Sequence, residues 1–206
     1  MKDYEQLSRE HFNKQSKYYD EKDTVYYSKE GKISCKDIKK YLENYDFKNL
    51  LDVGTGTGYL IELLSKNKNA KFFGIDISDG MIEIAKNKKI PSSTFIVGSA
   101  NRLPFDDNTF DVVVCSQSFH HYPYPYDAMS EAYRVLKYGG IYIISDTGVG
   151  GIWAWIDNNI IFPLLKSGDC YVTDKNGIAK MMEYSKFSVI DKYNIKRFIY
   201  TVVGKK

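Results

Sequence analysis

Only three cysteines, Cys35, Cys115 and Cys170, occur in 206 residues, and none is spaced as CxxC. An odd, scattered set speaks for reduced thiols in a cytoplasmic protein, and against a disulfide frame or a zinc site. Long hydrophobic runs are missing too. The most apolar stretch, Gly148 to Leu165, is broken by Asp157, Asn158, Asn159 and Pro163, which makes it a poor membrane span. Met1 to Asn13 is polar and charged, so no signal-peptide pattern opens the chain. Neither sign of charge dominates: 29 Lys and Arg against 26 Asp and Glu leave a net charge of +3. The two signs are well mixed, so no basic groove for nucleic acid is expected. Lys66 and Lys68, and the cluster Lys86, Lys88 and Lys89, sit beside expected turns and read as solvated surface. Internal repeats and low-complexity linkers are likewise missing, which excludes solenoid and linker architectures.

What remains is an ordinary globular composition of one-domain length. The unusual component is tyrosine, at 18 residues, with Tyr18, Tyr19, Tyr26 and Tyr27 clustered early and Tyr122, Tyr124 and Tyr126 later. Ile38, Tyr41, Leu42 and Tyr45 recur at i, i+3, i+4 and i+7, which predicts a helix over Cys35–Tyr45. Five short apolar runs follow, Asn49–Val53, Lys71–Ile75, Thr94–Val97, Phe110–Cys115 and Gly140–Ser145. Helical patterns lie between them. One carries Met81, Ile84 and Ala85 behind an N-cap at Ser78 or Asp79. Another carries Ala128, Met129, Ala132, Val135 and Leu136 and ends at Gly139-Gly140. Alternation of this kind predicts a doubly wound α/β fold with a parallel sheet covered on both faces. After Asp146 the pattern changes to an apolar helix near Ile152–Leu165 and a short helix after Asp174. Two closely joined strands near Phe187–Asp191 and Ile195–Val203 must then pair antiparallel.

The stretch Asp52-Val53-Gly54-Thr55-Gly56-Thr57-Gly58-Tyr59 joins an apolar strand to a helix through three alternate glycines. Glycines let a backbone approach a ligand closely, and the following helix offers unpaired N–H groups. In an open parallel sheet this first turn is where a nucleotide-type ligand sits. Asp76 ends the next strand and suits two hydrogen bonds to ribose hydroxyls. Gly98-Ser99-Ala100-Asn101-Arg102-Leu103-Pro104-Phe105 turns after the third strand, where it can border an adenine. The dinucleotide pattern G-x-G-x-x-G/A fails, because its sixth position is Tyr59.

Asp52-x-Gly-x-Gly-x-Gly instead resembles motif I of the class I S-adenosylmethionine (SAM)-dependent methyltransferases. The likeness continues at Asp76, Leu103-Pro104-Phe105, Phe110-Asp111-Val112-Val113 and Arg134-Val135-Leu136-Lys137-Tyr138-Gly139-Gly140. His11-Phe12-Asn13 with Tyr18-Tyr19-Asp20 looks like the opening of the quinone-biosynthesis C-methyltransferases, within the methyltransferase type 11 group. This resemblance implies a Rossmann-like sheet of seven strands, mostly parallel, with the last strand antiparallel. Residues 1–47 would form a helical cover, 48–147 the SAM-binding core, and 148–206 a substrate-cover helix with the final strands. SAM would be the cofactor and S-adenosylhomocysteine the product. Asp52, Gly54, Thr55, Gly56, Thr57 and Gly58 would hold its methionine part and Asp76 its ribose. Ile77 and Met81 would line the adenine, with Ser99, Ala100, Gln117 and Tyr19 completing the site. Two positions depart from the family pattern. Ser99 stands where an acid often faces the adenine amino group, and a hydroxyl accepts more weakly than a carboxylate. Tyr138 replaces a proline before the glycine pair.

A sulfonium is already an activated methyl donor, so the protein must chiefly align a nucleophile and exclude water. A base is needed only for a protonated nucleophile. His120 and His121, after the fourth strand, are the candidates, beside nearby tyrosines; either histidine can equally serve only to hydrogen-bond the fold. No metal is expected at the pair, since adjacent residues diverge and no third ligand is evident. Tyr18 and Tyr19 are expected either over the sulfonium, where aromatic faces favour a cation, or packed on the sheet. The segment with Trp153, Ile156, Ile160, Ile161 and Leu164 admits three roles: pocket cover, core packing or homodimer contact. The acceptor is expected to be a small molecule. Two rival functions stand beside methyl transfer, namely SAM binding without transfer and a nicotinamide-dependent oxidoreductase.

Overall fold

The apolar runs form strands β1 (Asn49–Val53), β2 (Lys71–Asp76), β3 (Ser93–Val97), β4 (Phe110–Ser116) and β5 (Leu136–Thr147). Two late strands, β6 (Ser188–Asn194) and β7 (Ile199–Lys205), complete a seven-stranded sheet of order β3-β2-β1-β4-β5-β7-β6. The first five run parallel, while β7 pairs antiparallel with both β5 and β6, as expected. This computed structural model describes residues 3–20, 26–165 and 168–206. The side chains of Tyr26 and Tyr27, and positions 166–167 of the expected cover segment, lie outside the described residues.

Both faces of the sheet are buried, which is why β4 reads as an unbroken apolar run. Val112 and Val114 point into one cluster, Val113 and Cys115 into the other. Helices α2 (Tyr26–Tyr41), α3 (Tyr59–Ser65) and α4 (Asp79–Asn87) fill the first side with Ile38, Leu60, Ile61, Leu64 and Ile82, joined by Leu42 just after α2. Helix α5 (Pro125–Val135) fills the second with Met129 and Ala132. Of the two N-cap candidates for α4, Ser78 caps it, accepting from Met81 N at 3.1 Å. The N-terminal helix α1 (Tyr4–Gln15) docks on α4 through Asn13, whose Oδ1 accepts from Ser78 Oγ at 2.5 Å and Gly80 N at 3.1 Å.

Three boundaries differ from the sequence reading. Helix α2 starts well before Cys35 and stops at Tyr41, with Leu42–Tyr45 in a turn. Helix α5 stops at Val135 rather than running to Gly139-Gly140, because Leu136 is extended and pairs with Phe110 in the sheet. The apolar segment after β5 is not one helix: α6 (Gly151–Ile156) and α7 (Phe162–Leu164) flank a π-helical turn at Asp157–Ile161. None of its residues is buried, and Trp153 is 66% exposed, so core packing does not occur there. Asp174 then caps α8 (Lys175–Tyr184), which packs against β6 and β7.

Candidate SAM-binding site

The sheet reverses its winding between β1 and β4, and the crevice beyond their carboxyl ends is where such folds take ligands. A cavity of about 520 Å³ occupies that place. Its floor is the turn after β1, pinned when Gly54 N and Thr55 N donate to Ile75 O at 2.8 and 3.0 Å. Gly54 and Gly56 both hold left-handed backbone, at φ of 74° and 53°. A methyl group on Gly54 would lie 1.9 Å from Ser118 Oγ, whereas one on Gly56 would meet no protein atom within 4 Å. Gly56 therefore leaves space for a ligand, and Gly54 leaves space for the protein. Gly58 does not line the cavity. It sits at the start of α3, where a side chain would strike Phe95.

The other expected cofactor residues, Asp52, Thr55, Thr57, Asp76, Ile77, Met81, Ser99, Ala100, Gln117 and Tyr19, all line this cavity. Asp52 is 2% exposed; Thr55 Oγ1 donates to its Oδ2 at 2.8 Å, while its Oδ1 is buried without a hydrogen-bond partner. Burial pushes the Asp52 carboxyl up to about 7; the Thr55 bond lowers it and the nearby Asp76 raises it further. Asp76 accepts from Gly56 N at 2.8 Å and Ser78 N at 2.9 Å. Each carboxylate oxygen carries two acceptor sites, so with Ile77 as a third backbone donor the carboxylate keeps capacity for a ligand hydroxyl. Burial also raises Asp76, against those backbone bonds.

Ser99 does not offer itself as expected. Its hydroxyl donates to Glu5 Oε1 at 2.6 Å and accepts from Asn101 N at 3.1 Å. Asn101 Nδ2 also donates to Glu5 Oε1, at 3.0 Å, which fixes the amide and leaves Asn101 Oδ1 buried without a partner. Glu5 and Asn101 both line the cavity, so α1 brings a carboxylate to the place where Ser99 replaces one. Spacing along the chain could not reveal that contact, because Glu5 lies 94 residues from Ser99. Tyr19 lines the cavity, and burial pushes its phenol up to about 12; Tyr18 is 57% exposed and points away from it. Asp20 joins the rim, accepting from Thr57 Oγ1 at 2.7 Å and pairing with Lys88 Nζ at 2.6 Å.

The two histidines part company. His121 lines the cavity, its ring 5.0 Å from that of Phe12, whereas His120 does not line it. His120 Nδ1 donates to Asp146 Oδ1 at 2.7 Å. Burial disfavours its charged form, but Asp146 outweighs that and raises its pKa; burial and the neighbouring His120 lower that of His121. The reasons against a metal do not hold in three dimensions, since the rings lie 4.1 Å apart and Asp169 approaches both. No residue of 151–164 lines the cavity; α1, Tyr19, Asp20 and α2 contribute lining residues instead. Outside the cavity, two motifs of the resemblance meet. Arg134 donates to Phe105 O at 2.7 Å and Leu103 O at 3.0 Å, while Glu131 accepts from Leu103 N at 2.7 Å.

A cavity with two unpartnered buried acceptors at separate places, and a carboxylate between strand ends, fits a nucleoside that carries an ammonium and an amino group. SAM has those donors, so the residues present fit it. Comparison with known proteins agrees. Residues 51–144 match a family model described as a methyltransferase domain. The demethylmenaquinone methyltransferase of Chlorobaculum tepidum is 40% identical over 113 residues, covering 54% of this chain and 46% of that one. The chain spans about half the length of the curated relatives it matches. Among solved structures, a chain in the complex of the Haloferax volcanii Trm112 methyltransferase activator superposes with a TM-score of 0.82. It is 18% identical, and 96% of each chain is covered. A SAM-dependent methyltransferase from Aquifex aeolicus superposes at 0.63, with 21% identity and coverage of 88% and 98%. Residues 51–144 thus match a methyltransferase domain, on a fold shared with a known SAM-dependent methyltransferase, and the motif order of this chain is similar to that of the class I group.

Proposed function

We propose that the protein transfers the methyl group of SAM to a small-molecule acceptor. The observation that carries this reading is the pair of buried, unpartnered acceptors, Asp52 Oδ1 and Asn101 Oδ1, in one cavity with Asp76. Asp52 would take the ammonium of the methionine part, Asp76 the ribose hydroxyls and Asn101 the adenine amino group. Bound SAM supplies an activated methyl on a sulfonium. The acceptor's nucleophilic atom bonds to that carbon as the carbon–sulfur bond breaks, and S-adenosylhomocysteine leaves. The chain's own part is alignment and exclusion of water. Phe12, Tyr19, Cys35, His121, Tyr122 and Pro123 form the less polar wall on which an acceptor would lie. His121, which lines the cavity, would be the histidine to take a proton there. The three free thiols fit a reducing compartment, which we take to be the cytoplasm.

The test is release of S-adenosylhomocysteine from SAM, followed by mass spectrometry of a metabolite panel that includes a demethylated naphthoquinol. The expected result is one acceptor gaining 14 mass units, about a methyl group replacing a proton. Tight S-adenosylhomocysteine binding with no turnover on any acceptor would favour a binding protein instead.

A further inference from the structure

We propose that His120, His121 and Asp169 form a binding site for one divalent metal ion of the zinc class, with Asp146 holding His120 in position. His120 Nε2 lies 3.7 Å and His121 Nδ1 3.4 Å from Asp169 Oδ1, and one ligand atom from each residue falls within 4.8 Å of the others. Zinc bonds to imidazole and carboxylate of roughly 2.0–2.2 Å in a tetrahedron set neighbouring ligand atoms about 3.3–3.5 Å apart. The two separations from Asp169 match that edge to within a few tenths of an ångström, and the third pair lies within 4.8 Å.

The polar bookkeeping points the same way. His121 Nδ1 is buried and makes no hydrogen bond, although a carboxylate oxygen lies beside it. A buried imidazole nitrogen with no hydrogen bond, 3.4 Å from a carboxylate oxygen, is a place where a cation completes the contact. His120 is prepared as a ligand in the usual manner of metal-binding histidines: its Nδ1–H is committed to Asp146, 2% exposed, so Nε2 presents its lone pair toward Asp169. The set of two imidazoles and one carboxylate suits zinc, and three protein ligands leave a position for water or a substrate oxygen. All three side chains are at most 16% exposed. The ion would tie the Gly168–Thr173 segment to the end of β4, next to the bonds that Cys170 N and Tyr171 N already make to His120 O at 3.1 and 3.2 Å.

The test uses tag-free, EDTA-treated protein titrated with Zn²⁺ by calorimetry and with Co²⁺ by visible spectroscopy. One ion per chain is expected, with a Co²⁺ spectrum free of thiolate charge transfer. Asp169→Asn and His121→Gln should each weaken Zn²⁺ by more than about tenfold, and Asp146→Asn by roughly 10–100-fold. Circular dichroism confirms that each variant is folded. Folded wild-type protein that takes up no Zn²⁺ would overturn the proposal and leave a proton shared between His120 and the two aspartates. So would Zn²⁺ affinity unchanged from wild type in both ligand variants, or a thiolate band assigning the ion to Cys170.

Discussion

An ammonium held at Asp52 would couple ligand binding to pH, and replacement of Asp52 by asparagine tests that coupling. Burial raises its carboxyl from 3.8 to about 7 in the folded protein. A raised acid favours folding while protonated, so its contribution is full below the unfolded value and is lost as pH rises through about 7. Three pH units at 1.36 kcal/mol each set the loss between pH 4 and pH 8 at about 4 kcal/mol. Asp52→Asn removes that titration, so the ligand-free variant should be more stable than wild type at pH 8 by roughly 2–4 kcal/mol. Near pH 4 the two should agree. Binding runs the other way, because the ligand's ammonium favours the ionised carboxylate. Wild-type affinity for S-adenosylhomocysteine should rise about tenfold per pH unit from 5.5 to 7 and then level off. The variant should bind more weakly, with a shallow pH dependence. Urea unfolding and calorimetry at four pH values measure both slopes. A wild-type affinity flat across pH 5.5–7, or a variant no more stable at pH 8, would refute the assignment of Asp52 to the ammonium.

Four further outcomes follow from local geometry. Gly54→Ala forces a methyl against Ser118 and should cost about 1–3 kcal/mol of stability. Gly56→Ala meets no protein atom, so it should lose S-adenosylhomocysteine affinity with only about 1–2 kcal/mol of backbone strain; thermal shift and calorimetry separate the two. Asn101→Ala should weaken S-adenosylhomocysteine by about 1–3 kcal/mol while leaving its purine analogue lacking the amino group nearly unaffected; equal losses for both ligands would remove Asn101 from the adenine site. Asp111 accepts from Lys48 N, Asn49 N and Lys137 Nζ, and these bonds outweigh burial and lower its pKa. Its stabilisation is full above the unfolded carboxylate value and fades as pH falls through the lowered one. Asp111→Asn should therefore cost about 2 kcal/mol at pH 7 by urea unfolding, and less at pH 3.

The sheet was legible because its signals are local. Each strand is a short apolar run, and Val112 to Cys115 buries both faces, so no alternation was needed to see it. Asp52, Gly56 and Asp76 were legible for the same reason, since a strand end and a turn place them within a few residues. Leu136 misled the helix boundary because it suits a helical stripe and a buried strand equally; pairing with Phe110 decides it. The residues that were missed are joined only through space. Glu5 reaches Ser99 and Asn101, Asp20 reaches Thr57 and Lys88, and Asp146 and Asp169 reach the histidines. His11-Phe12-Asn13 and Tyr19-Asp20 carried the one sequence-level hint of that cover. Phe12, Tyr19 and Asp20 do line the cavity, and Asn13 docks the helix that carries Phe12.

The central claim is that this cavity takes SAM and its product. The most direct test is calorimetry of the purified protein with S-adenosylhomocysteine, with NADH in parallel and Asp76→Ala as the control. Saturable binding of one S-adenosylhomocysteine per chain, at least about tenfold weaker in the variant and with no heat from NADH, is the predicted result. Folded protein that ignores S-adenosylhomocysteine, or that binds NADH in its place, would contradict it.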